Sequence, residues 1–119
     1  MRPLTGSEKE FLAPYIPQAD LDNARIFEAQ VPRWLGKKYI AVTLENRIYL
    51  RAGVYDAGSV RGLALLAHEL VHVGQYREGM TRLKYLWASR RGYASNPYEE
   101  PAYATERQIL ETLTSDCVC

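Results

Sequence analysis

The stretch Leu65-Leu66-Ala67-His68-Glu69-Leu70-Val71-His72 constrains this chain more than any other, because it sets two histidines four positions apart inside an apolar helical pattern. Four residues advance an α-helix by about 400°, so His68 and His72 project from nearly the same face, roughly 6 Å apart along the axis. Two imidazoles so placed can grip one ion. Glu69, rotated about 100° from His68, brings its carboxylate toward a water on that ion rather than to the ion itself, the place of a general base. The run fits the H-E-x-x-H pattern of zinc sites, in which imidazole nitrogens bind at about 2.0 Å and a fourth position stays with water. The bland alternative is a pair of core histidines on a helix that also carries Leu63, Leu65, Leu66, Leu70, Val71 and Val73. The chain holds two histidines in all, however, and both fall inside the motif with the glutamate between them.

With no further histidine, the third ligand must be a carboxylate, a thiolate or water. The longer pattern with a histidine six residues past the second is absent, since Gln75 stands three after His72 and Glu78 six after. Glu99 and Glu100, just beyond Pro97 at the expected start of the last helix, are the natural candidates. For either, the ordinary role would be a first-turn acid complementing the helix dipole. Cys117 and Cys119 are too close for an unstrained bridge and read as reduced thiols on a tail.

At 119 residues the chain makes one domain, 1–119, with 115–119 expected as a flexible tail. Fifteen basic against fourteen acidic residues give a net charge of +1, which offers no general argument for a nucleic-acid partner. Arg82, Lys84, Arg90 and Arg91 form a local basic segment, read as a solvated helix face. The longest apolar run, Leu63 to Ala67, is too short to cross a bilayer. The N-terminus lacks the apolar core of a secretory signal, so the expectation is a cytoplasmic protein without a membrane partner.

Helix signals cover Ser7 to Ala13, ended by Pro14, with a turn through Pro17. Strands are expected at Ala24–Ala29, Lys38–Thr43 and Arg47–Arg51, the last two forming a hairpin with Asn46 in the turn. The motif helix should run from about Val60, capped by Ser59, to Arg77, and stop at Gly79. A further helix is expected from Thr81 to about Arg91, with Leu83, Leu86 and Trp87 on one side. The last should run from Tyr98 or Glu99 to about Thr114, burying Ala102, Ile109, Leu110 and Leu113. The fold class is α+β: a small antiparallel sheet of about three strands packed on the motif helix and one or two others.

The motif helix followed by a glutamate on a later helix resembles the gluzincin branch of zinc metallopeptidases, of which thermolysin carries Glu-x-x-x-Asp on that helix. Arg47-Ile48-Tyr49-Leu50, Tyr55-Asp56, the motif, Gln75 and Asn96-Pro97-x-Glu99-x-x-Ala102 are closer still to minimal zincin-like domains of bacterial polymorphic-toxin and extracellular contractile-injection-system proteins. The resemblance spans roughly residues 20 to 107. It implies His68, His72 and Glu99 as ligands to Zn2+, Glu69 as base, and peptide-bond hydrolysis of a peptide or protein substrate by a metal-activated water. Tyr103 stands four after Glu99, where the family often has an acid that orients a ligand histidine, and Pro101 stands where many relatives have another acid. Tyr93 and Tyr103 are candidate catalytic donors to the oxyanion, with Arg107 behind them. Substrate would add as a strand along a sheet edge, expected at Arg47–Arg51 and Ala52-Gly53.

Two other functions stand beside the peptidase. A chain this short leaves little room for a second subdomain walling a cleft, and the resembling domains often sit inside larger secreted assemblies, which suits a zinc-holding interaction or structural module without turnover. The loci of similar domains also suit an effector or toxin.

Overall fold

The computed structural model describes residues 1–37, 39–92 and 95–116, with the side chains of 113–116 outside the description. Its elements in chain order are β1 (Arg2–Pro3), α1 (Gly6–Leu12), α2 (Gln18–Asn23), β2 (Arg25–Glu28), β3 (Ala41–Leu44), β4 (Arg47–Leu50), α3 (Val60–Arg77), α4 (Arg82–Ala88) and α5 (Glu99–Asp116). The α+β class is as expected, but the sheet is mixed rather than antiparallel. Its order is β1-β2-β4-β3, with β2 and β4 parallel and the other pairs antiparallel. The cause is a crossover. After β2 the chain runs through residues 29–40 to the far edge, lays down β3, and hairpins back so that β4 fills the gap. The crossover lays β3 down opposite in direction to β2 and the hairpin reverses the chain once more, so β4 runs parallel to β2. The edge expected at Arg47–Arg51 is therefore the interior strand β4, and β3 is the edge.

The hairpin turn is Glu45-Asn46, as expected from Asn46, although Glu45 takes the left-handed φ of 62°. Strand β3 begins at Ala41, later than Lys38, which lies outside the described residues. Helix α1 is capped two residues earlier than Ser7 would place it: Thr5 accepts from the Glu8 amide while Glu8 accepts from the Thr5 amide, a reciprocal capping box. Helix α2 and the two-residue β1 have too little periodicity to be seen in sequence. The expected tail from 115 overlaps α5, which continues through Asp116. Cys117 and Cys119 lie outside the described residues.

Helix α3 spans its expected range, with Ser59 Oγ accepting from the Gly62 amide at 2.9 Å and Gly79 at φ 114° beyond its end. Its Leu66, Ala67, Leu70 and Val73 pack with Leu12, Leu21, Ile26, Ile48, Leu50 and Ile109 in one core. Asp20 of α2 is buried against α3, holding Arg77 by Nε to Oδ1 at 2.7 Å, over a point where only Gly74 leaves room. At the other end Gly62 is required. A Cβ there would lie 2.1 Å from the Asp56 carbonyl oxygen. Helix α5 packs along α3, burying Ala102 and Ile109 and half-burying Leu110; Leu113 lies outside the described side chains.

A buried Glu8 ties the N-terminal segment down. Arg2 donates to it through two nitrogens, at 2.9 and 3.1 Å, and the Tyr55 hydroxyl donates to it as well. Burial alone would raise the Glu8 carboxyl, but Arg2, Tyr55 and the Thr5 amide outweigh it and hold the carboxyl down at about 2. A depressed folded pKa contributes stability that is present above the ordinary carboxylate value and lost as pH falls through the folded one. Wild type should therefore lose thermal stability between about pH 4.5 and 2, and Glu8→Gln, less stable at neutral pH, should lose less over that window in thermal unfolding followed by circular dichroism. Gly62→Ala should lower stability by about 1–3 kcal/mol in denaturant titration, because the Asp56 turn must move to admit the methyl group.

Candidate metal centre

Helix α3 presents His68 and His72 on one face, and α5 brings Glu99 to meet them. His68 Nε2 lies 3.0 Å and His72 Nε2 3.2 Å from the same oxygen, Glu99 Oε1. One ligand atom from each residue lies within 4.8 Å of the other two, and all three side chains are buried. Three donors at corners of a tetrahedron around an ion bound at 2.0–2.1 Å would stand about 3.3 Å apart, so the spacing suits a small cation with little rearrangement. The trio could hold a metal ion. Glu100, the alternative third ligand, is exposed at the same helix start.

The far nitrogens of both rings face polar side chains, Gln75 for His72 and Glu106 for His68. His72 Nδ1 donates to Gln75 Oε1 at 2.8 Å, and Gln75 Nε2 donates to the Tyr98 carbonyl at 2.8 Å, which fixes the amide orientation and leaves His72 Nε2 for the ligand position. Glu106 Oε1 lies 3.0 Å from His68 Nδ1. That contact is an ion-pair distance but runs out of line with the ring N–H, so Nδ1 lacks a well-directed hydrogen bond among the described residues. The carboxylate that approaches His68 Nδ1 from α5 is Glu106. It stands seven after Glu99, two helical turns on, and so reaches the same side of α5.

Asn96 sets the start of the helix that carries Glu99. Buried before α5, it accepts from the Tyr98 amide at 2.8 Å and donates to Ser89 Oγ at 2.6 Å and the Tyr85 carbonyl at 3.3 Å, tying the start of α5 to α4. From α4 the Tyr85 hydroxyl donates to Glu99 Oε2. Thr43 of the edge strand donates to Glu69 Oε2 at 3.1 Å, holding the expected base between β3 and the imidazoles.

The charges are strongly coupled. Burial lowers His68, but the Glu106 and Glu99 carboxylates outweigh it and raise its pKa to about 10. His72 is raised in the same way, burial opposing and Glu99 prevailing. Glu99, though burial pushes it up, is held well below the usual carboxylate range by both imidazoles. Burial dominates at Glu69 and raises it, against the pull of His72 and His68. Two carboxylates here need positive charge within reach, which protons on the rings or one divalent cation can supply.

The expected donors fare differently. Tyr93 lies outside the described residues. Tyr103 packs its ring edge-on against His68, with centroids 4.6 Å apart, and lies off the cleft; Arg107 is exposed. The phenol brought to the trio is Tyr85, which the sequence pattern passes over because nothing in a seven-residue helix marks one tyrosine of nine. Glu69, His72, Glu99 and Tyr85 line a cleft of about 590 Å³, walled by β3 on one side and by α4 and the end of α3 on the other.

Fold and site together define a small α+β domain built around a candidate metal centre. Residues 5–80, more than half of the chain, match the family model of the eCIS core domain, which links it to extracellular contractile injection systems, and the chain belongs to that family. No match was found among curated proteins or solved structures. The matched segment holds His68, Glu69, His72, Thr43 and Gln75 and ends before Tyr85 and Glu99. Among the described residues no helix is long and apolar enough to cross a membrane.

The ring-orienting contacts carry a direct expectation. Glu106→Ala and Gln75→Ala should each weaken zinc binding by about 10- to 100-fold, and the exposed Glu100→Ala should leave it unchanged, in competition titrations against a chromogenic chelator.

Proposed function

We propose that this domain is a zinc-dependent metallopeptidase of the gluzincin type, acting on a peptide or protein substrate. One observation carries the reading: both ligand nitrogens of a H-E-x-x-H helix converge on a single oxygen of Glu99 while the far nitrogens face Gln75 and Glu106. Two imidazoles and one carboxylate form a donor set of catalytic zinc, and a buried, cleft-lining glutamate beside them supports turnover rather than a closed structural site. Zinc, when bound, supplies a Lewis acid that polarises the scissile carbonyl and acidifies water.

The chain's own residues account for the remaining steps. Glu69, raised by burial and steadied by Thr43, accepts the proton of the attacking water and delivers it to the leaving nitrogen. Tyr85 takes the role assigned by sequence to Tyr93 or Tyr103. Burial and the neighbouring Glu99 raise its phenol, so it stays protonated, and by turning its one O–H from Glu99 Oε2 it can donate to a developing oxyanion. The alternative, a zinc-holding module without turnover, rests on a chain too short to wall a cleft. Against it stands the cleft itself, formed by β3, the 29–40 crossover and α4 without a second subdomain.

The test is elemental analysis with a peptide-hydrolysis assay on the same preparations. Wild type should hold one zinc per chain and lose it with Glu99→Ala but not with Glu100→Ala. Glu69→Gln should keep its zinc and lose about 10²- to 10⁴-fold in kcat. Zinc retained with turnover undiminished in Glu69→Gln would remove Glu69 from the chemistry, and stoichiometric zinc with no turnover on any peptide would leave the module.

A further inference from the structure

The cleft beside the trio is apolar well beyond what a metal site needs. Trp34 and Leu35 of the crossover, Leu44 of β3, Met80 after α3 and Leu86 of α4 all line it. Two of these stand open to solvent: Trp34 is 68% exposed and Leu86 64%. Large apolar surfaces facing each other across a cleft, rimmed by polar residues, mark a place where a ligand covers them.

The charges sort the ligand further. Among the lining residues the fixed cation is Arg82, which already lies 3.9 Å from Glu45. The carboxylates at the floor, Glu69 and Glu99, are engaged by Thr43, the imidazoles and Tyr85. A charged side chain entering between Trp34 and Leu86 would lose water and meet no opposite charge set aside for it.

Backbone register adds orientation. The Arg51 amide bonds the Ile40 carbonyl at 2.9 Å, which makes Ile40 and Arg51 a hydrogen-bonded pair; by alternation Val42 and Leu44 bond β4, and the amides and carbonyls of Ala41 and Thr43 point outward from the sheet. An extended chain lying there meets free backbone partners and presents alternate side chains to the apolar walls.

We propose that the cleft recognises an extended peptide through one bulky apolar side chain seated between Trp34 and Leu86. The inference rests on the peptidase reading for the chemistry after binding, but recognition itself is observable without turnover. The chain has two tryptophans, so Trp87→Phe leaves Trp34 as the single fluorophore. In the zinc-loaded double variant Trp87→Phe/Glu69→Gln, a blocked hexapeptide with a central phenylalanine should shift Trp34 emission to the blue, saturably. It should bind about 10- to 100-fold more tightly than the same peptide with a central glutamate.

Leu86→Ala in that background should weaken the phenylalanine peptide about fivefold or more and leave the glutamate peptide unchanged; Leu86 is exposed, so its loss does not threaten the fold. No shift, an equal response to both peptides, or indifference to Leu86→Ala would overturn the proposal. The two readings fail separately. If the phenylalanine peptide binds selectively yet Trp87→Phe with Glu69 intact never cleaves it, the recognition stands and the peptidase falls; if peptides are cleaved without selective binding, the reverse holds.

Discussion

A carboxylate buried between two imidazoles on one helix face is the interaction on which the rest of this structure depends. Glu99 is inside, its carboxyl held well below the usual range, and among the described residues no arginine or lysine is hydrogen-bonded to it; its charge is answered by His68 and His72. Such a group is tolerated only if geometry holds its partners in place, because an uncompensated buried charge is strongly destabilising. The surroundings accordingly consist of positioning contacts. Gln75 fixes one ring, Glu106 approaches the other, Asn96 sets the start of α5, and Thr43 holds Glu69. Each is a short polar contact from a different element, so the centre comes together only when α3, α5, β3 and the segment before α5 are all docked.

That requirement explains why α3 is fixed so firmly at both ends. Asp20 clamps Arg77 near its C-terminus through a contact that needs Gly74, and the Asp56 turn sits against Gly62 near its N-terminus. The cleft wall formed by α4 is built differently. Helix α4 buries none of its seven residues and lies between Gly79 and Gly92, both at positive φ. It is tied to the centre through Tyr85 and Asn96 rather than through a core. Helix α3 thus belongs to the hydrophobic core, whereas α4 is held mainly by polar contacts to the residues it helps to place.

The sequence disclosed what local physics determines. The helix at Val60–Arg77 was legible from its cap, its apolar period and its stop, and the facing histidines followed from helix geometry. The Glu45-Asn46 hairpin was legible in the same way. What escaped were consequences of long-range placement. The parallel pairing of β2 with β4 depends on a crossover whose path no periodicity encodes, and with it the edge moved from β4 to β3. Helix α4 was visible as a stripe of Leu83, Leu86 and Trp87, but a stripe does not say whether a partner surface exists, and here these residues are exposed. Glu106 could have been found, since it lies two turns after Glu99 on the same helix face. Tyr85 could not, because its approach to Glu99 is set by the angle at which Asn96 joins two helices.

The extent of the family match bears on how such a site is assembled. The matched segment, 5–80, carries β2, β3, β4 and the motif helix with His68, Glu69 and His72, whereas Glu99, Glu106 and Tyr85 all come from beyond it. A fragment ending there would keep two imidazoles on a well-anchored helix but would lose the carboxylate that draws them together and the helix that packs along α3 through Ala102 and Ile109. Two histidines offer an ion half a site. The region after residue 80 therefore does more than extend the domain. It converts a helix with metal-binding potential into a converged centre with one open side, and because its α4 wall is lightly held, variation there can reshape the cleft without disturbing the core that aligns the ligands.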